Sequence, residues 1–148
     1  MMVEKINLVG AMTTLAYFSS TILIFILRIF GKPEYGQGLG LIQTVIAIPV
    51  VGYLLFTAPQ FKRSSLYIIQ VSLMLAFLLV ELLIDHILRI DFRQVRWMVI
   101  AYVTFFFAAT GGMIGVASYA GRGWTIAAVI LFLIMGTLAF IQRRLTGL

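Results

Sequence analysis

Apolar residues in this chain run in long unbroken stretches, not in strand-like alternation or on one narrow helical stripe. A bilayer core about 30 Å thick needs roughly 20 mostly apolar residues per helix. Five stretches reach that length, at about 6–27, 39–58, 66–88, 97–120 and 124–141. The pattern predicts an all-α fold: a polytopic integral membrane helical bundle of five transmembrane helices, forming a single transmembrane domain over 1–148 with short loops.

The breaks between stretches have physical causes. Pro33 lacks a backbone donor and restricts Lys32, so Gly31-Lys32-Pro33-Glu34 ends the first span. The glycine-rich Tyr35-Gly36-Gln37-Gly38 bounds the second span on one side, and Pro59 with Lys62 and Arg63 bounds it on the other. Arg89, Asp91, Arg93 and Arg96 are too densely charged for hydrocarbon. Gly121-Arg122-Gly123 is a tight connection that predicts an antiparallel hairpin of the last two helices. The first span exceeds a leader-peptide apolar core and lacks a small-x-small cleavage site, so a retained helix is expected.

Composition narrows the class further. Hydrophobic residues make up 62% and charged residues 11%. Mean hydropathy is +1.09. So much apolar mass cannot be hidden inside a small globule, and disordered, collagenous and disulfide-scaffold classes fall with it. Lys and Arg number 11 against 5 Asp and Glu. The basic residues stand at the ends of apolar runs, which suits anionic lipid headgroups and not nucleic acid. With no cysteine and one histidine, the chain offers no thiol chemistry and no metal set, and nothing implies a cofactor.

The basic residues also orient the bundle. Lys5, Lys62, Arg63 and Arg122 fall on one side. Arg28, Lys32, Arg89, Arg93, Arg96, Arg143 and Arg144 fall on the other. The richer side should be cytoplasmic, with the N-terminus outside and the C-terminus inside.

Glu81 is the most informative residue. Asp85 and Arg89 follow at four-residue steps on the same side of a helix. At about 1.5 Å per residue, Glu81 lies roughly 12 Å below Arg89 along the axis. An ionised carboxylate there is unfavourable by roughly 2–3 kcal/mol unless paired, protonated or hydrated. Gln70, Met74 and Phe77 share its stripe, which should face protein or water. One reading pairs Asp85 with Arg89 and Glu81 with Arg28 as structural contacts; the other makes Glu81 a proton or cation site.

Other polar groups are placed around it. His86 sits about 100° from Asp85 on an α-helix, a poor chelating pair, and reads as an interfacial hydrogen-bonding residue. Arg89, Arg93 and Arg96 form one basic face if their connection is helical, with Phe92 and Trp97 as anchors. That face, with His86, would meet an anionic headgroup or express the positive-inside excess. In the first span, Asn7, Gly10, Thr13, Thr14, Tyr17, Ser20 and Thr21 form a stripe that must face other helices. Gly111, Gly112 and Gly115 predict tight helix packing. The Gly36, Gly38 and Gly40 run follows no strand and is not a nucleotide loop. Pro49 interrupts the second span, and Gln43 and Thr44 lie on its inner side at the depth of Glu81. Ser20, Thr21, Gln43, Glu81 and Asp85 are therefore expected to line one polar pocket in the inner half.

Three roles follow. The first is a transporter or channel with its inner-leaflet site around Glu81, oligomeric because five spans are few for a complete pathway. The second is an accessory or structural subunit of a membrane complex. The third, ranked last, is an interfacial lipid-modifying enzyme using Asp85, His86 and the arginines. The first requires an open cavity reaching Glu81, the second a dry closed bundle. The third requires a cavity open sideways to lipid, with polar groups converging near His86.

Overall fold

The computed structural model describes residues 2–89 and 95–146. Among these residues are five helices long and apolar enough to cross a membrane, and the chain is a multi-pass membrane protein of the helical-bundle class. They are α1 (Met2–Ile29), α2 (Pro33–Thr57), α3 (Ser65–Glu81), α4 (Arg96–Ser118) and α5 (Arg122–Thr146), with a six-residue π-helical segment, Leu82–Ile87, continuing α3.

Local chemistry sets the ends. Gly31 takes a φ of +75° after α1, and Pro33 then opens α2 where its missing N–H is no loss. The Ser64 hydroxyl caps α3 by accepting from the Tyr67 amide at 3.2 Å. Gly121 reverses the chain between α4 and α5 at a φ of +139°, a conformation closed to other residues.

Two boundaries differ from expectation. Tyr35-Gly36-Gln37-Gly38 lies inside α2 and is not a break. Gly36 serves close packing, since a Cβ there would stand 3.4 Å from the Ile24 carbonyl oxygen of α1, whereas Gly38 has no neighbour within 4 Å. Contact between α1 and α2 thus outweighs the weak helix propensity of glycine. The third span leaves α-helical geometry after Glu81, and the Leu88 amide donates to the Leu83 carbonyl at 2.8 Å, an i→i+5 bond.

Packing is a four-helix ring with a fifth helix outside it. α1 packs on α2 and α4, and α3 packs on the same two, so α1 and α3 stand diagonally across the ring; α5 packs on α1 and α4. The core between them includes Phe18, Val51, Leu54, Tyr67, Val71, Met74 and Phe77, all fully buried. Phe77 sits amid Tyr102, Phe105 and Phe106 of α4 at ring distances of 5.4–5.6 Å. α5 is the least buried helix, exposing Ile126, Ile130, Leu133 and Ile134. An apolar exterior of this kind is at home in hydrocarbon.

The polar stripe of α1 splits in two. Gly10, Thr14, Tyr17 and Thr21 are buried. Thr14 donates to the Gly10 carbonyl at 2.8 Å, with the α4 carbonyl of Met113 at 3.3 Å. Thr13 and Ser20 are only half-buried, on the flank of the stripe.

The α4 glycines divide likewise. A Cβ on Gly112 would stand 3.5 Å from Gln70 of α3, and one on Gly115 would overlap the Gln70 amide nitrogen and lie 2.8 Å from its Cδ. Gly111 faces no neighbour within 4 Å, so of the three glycines expected to pack tightly it is the one that does not. The seam seats one glutamine side chain instead of a facing helix backbone. Gly115→Ala should therefore lower unfolding stability by about 1 kcal/mol through overpacking, while Gly111→Ala changes it by less than about 0.5 kcal/mol. Denaturation in mixed micelles checks this, and equal effects would dissolve the seam.

Candidate functional site

All five helices wall one cavity of about 580 Å³, at the end of the bundle that carries Arg28, Arg89 and Arg143. The size falls within the roughly 300–1,000 Å³ of small-molecule sites.

The deep wall is built from α1, α2 and α3. The Tyr17 hydroxyl donates to Glu81 Oε2 at 3.1 Å. Since α1 and α3 are diagonal in the ring, this bond spans its middle. The Thr21 hydroxyl donates to the Tyr17 carbonyl at 2.8 Å and receives from Gln43 Nε2 at 3.2 Å. The single Thr21 proton is committed to that carbonyl, so the Gln43 amide must present its nitrogen to Thr21. Its carbonyl Oε1 is then buried without a hydrogen-bond partner, on a side chain only 8% exposed. A buried acceptor left unmatched is unfavourable by roughly 1–3 kcal/mol.

The π segment decides what else reaches the cavity. Its wider turn advances each residue through less than the α-helical angle of about 100°. Asp85 and His86, adjacent in sequence, consequently both line the cavity with Glu81. His86 occupies the space beside Gly40, where an added Cβ would lie 3.8 Å from the imidazole Cε1. Single turns of this geometry within α-helices occur frequently at functional sites.

Of the residues expected in the pocket, Thr21, Gln43, Glu81 and Asp85 line it. Ser20 does not; one position from Thr21, it is turned about 100° away toward the flank of α1. Arg28 lines the cavity and acts electrostatically on Glu81, and the Tyr17 hydroxyl donates to the same carboxylate. The single face of Arg89, Arg93 and Arg96 is corrected. The helix ends at Ile87 and Arg89 takes a φ of +51°, which breaks helical periodicity. Arg89 lines the cavity, whereas Arg96 opens α4 exposed and apart from it. Arg93 and Phe92 lie outside the described residues.

Several lining residues escaped sequence reasoning. Tyr102, Phe106 and Phe107 of α4 form an aromatic wall, and Gln37 and Arg143 stand at the mouth. The arginine counted only toward orientation. Tyr17 was visible as a member of a stripe, with no signal of its partner.

The rim has two characters. Gln37, Arg89 and Arg143 are polar and exposed. Val103 of α4 and Phe140 of α5 are apolar lining residues that are also exposed to the outside, Phe140 at 70%. The cavity thus has polar, exposed residues at its charged end and two apolar lining residues that also reach the outer surface. It can hold a positively charged or hydrogen-donating group against Glu81, Asp85 and Gln43, and an anion against the arginines. No protein-family model, curated protein or solved structure matches this chain.

Proposed function

We propose that the chain is a membrane carrier subunit that holds its cargo in this cavity against Glu81. The basic end faces the cytoplasm, the N-terminal end faces outside, and copies act together. The supporting observation is a cavity walled by all five helices with a carboxylate at depth, above a half-bundle filled by packed side chains such as Val71 and Leu54. An assembly subunit needs no such space, and its polar stripes would be satisfied by helix contacts alone. A carrier needs it, together with a second state open to the other face.

The absence of cysteine makes this testable in an otherwise native chain. In proteoliposomes, Gln37→Cys should react with a membrane-impermeant maleimide from the inner face alone. Thr21→Cys should react from the inner face at rest, and from the outer face as well once the carrier cycles. A Thr21→Cys chain that never reacts from outside would end the carrier reading and leave a one-sided binding protein.

A further inference from the structure

The lining of the cavity is ordered along its depth, and the order describes a ligand. Its deep acceptors are the carboxylates of Glu81 and Asp85, and Gln43 lines the wall beside them with a side chain whose carbonyl oxygen is buried and unmatched. Its basic groups are Arg28, Arg89 and Arg143. A ligand that was only a cation would meet three guanidiniums around the site. A ligand that was only an anion would face two carboxylates. A zwitterion entering with its cation foremost satisfies both, and charge complementarity of this kind selects partners by rejecting like charge.

The deep groups sharpen the cation. Gln43 Oε1 accepts hydrogen bonds and has no partner, so it matches an ammonium that carries N–H donors. A quaternary ammonium could lie against Tyr102 and Phe106, but it would leave that carbonyl unmatched. The anion is sharpened by the guanidiniums, whose planar forks fit phosphate oxygens in pairs. The exposed apolar residues Val103 and Phe140 at the rim offer a lipid-facing exit for an attached hydrocarbon chain.

We propose that the cavity binds a primary ammonium joined to a phosphate, the chemistry shared by an ethanolamine phospholipid headgroup and free phosphoethanolamine. This rests on the reading of the cavity as a cargo site. The ammonium sits against Glu81 and Gln43, and the phosphate sits against Arg28 and Arg89.

The full chain, purified in maltoside micelles, is titrated with lysophosphatidylethanolamine, lysophosphatidylcholine and lysophosphatidylglycerol of one acyl length, and with phosphoethanolamine. The ethanolamine lipid should bind about tenfold or more tighter than the other two lipids, the scale of a hydrogen-bonded charge. Glu81→Gln should erase that preference by weakening the ethanolamine lipid and, with one like charge removed, tightening the glycerol lipid, and Arg89→Gln should weaken all three lipids. Should Glu81→Gln fail to fold, Gln43→Leu carries the test, because it should narrow the gap between ethanolamine and choline lipids. Phosphoethanolamine binding as tightly as the lipid names a soluble cargo; binding by the lipid alone names the headgroup with its chain at the Val103–Phe140 rim. Equal affinity for the three lipids, or an ethanolamine preference that survives both variants, overturns the proposal. Binding of another charge class that still depends on Glu81 overturns the ammonium assignment but leaves the cargo site standing, whereas no binding of any probe overturns both.

Discussion

Glu81→Leu should abolish cavity binding, weakening it by about 100-fold or more, while the bundle itself loses only about 1 kcal/mol. The two magnitudes differ because two interactions are removed. The structural one is the hydrogen bond from Tyr17 at 3.1 Å. Side-chain hydrogen bonds within membrane bundles average about 0.6 kcal/mol and reach about 1.7, so the fold tolerates its loss. The functional one is the countercharge for a ligand cation away from water. Truncating one member of a buried charge pair is unfavourable by about 2–5 kcal/mol, and each 1.4 kcal/mol is tenfold in affinity. Tyr17→Phe added to Glu81→Leu should lower stability little further, because the hydroxyl has already lost its acceptor. Ligand titration and thermal unfolding of the single and double variants measure both effects. Undiminished binding in a folded Glu81→Leu chain would remove Glu81 from the site.

Phe77→Ala should be the most destabilising single truncation in the bundle, by about 2–4 kcal/mol. In water the same change typically costs about 3–5 kcal/mol, part of it from returning apolar surface to solvent. In a bilayer that part largely disappears, since lipid tails are as apolar as the core. What remains is packing. Phe77 is fully buried and meets three α4 rings within 5.4–5.6 Å. Each aromatic pair contributes about 0.5–1.5 kcal/mol. Two of those rings, Tyr102 and Phe106, are also cavity wall, so the truncation should weaken ligand binding from behind. Phe140→Ala is the control: it removes a ring that is 70% exposed and stacked on Phe107 alone at 6.5 Å. Steric trapping in bicelles compares the two, and a Phe77→Ala loss no greater than that of Phe140→Ala would show that the α3–α4 seam is not held by its rings.

The number of spans was legible because run length alone answers the thickness of hydrocarbon. Gly121 and Pro33 were legible too, since each has a backbone constraint that admits few positions. Gly36 misled for the opposite reason. A glycine permits both a break and a close helix contact, and only the neighbouring Ile24 carbonyl decides between them. The depth of Glu81 below Arg89 followed from helical rise, and the same arithmetic on α2 brought Gln43 to its level. Azimuth was harder to read than depth. Ser20 and Thr21 differ by one residue and point to different surroundings, and no composition signal marks the Leu82–Ile87 segment that turns His86 inward. The Tyr17–Glu81 bond joins helices that do not pack on one another, so no pattern local to either helix announces it.

The placement of α5 has a mechanical consequence. It leans on α1 and α4 from outside, while the other four helices close a ring without it. The side chains at its C-terminal end nevertheless complete the cavity. Swinging that one rod outward would unlatch the chamber toward the acyl chains by parting its seams with α1 and α4, with the ring of four left closed.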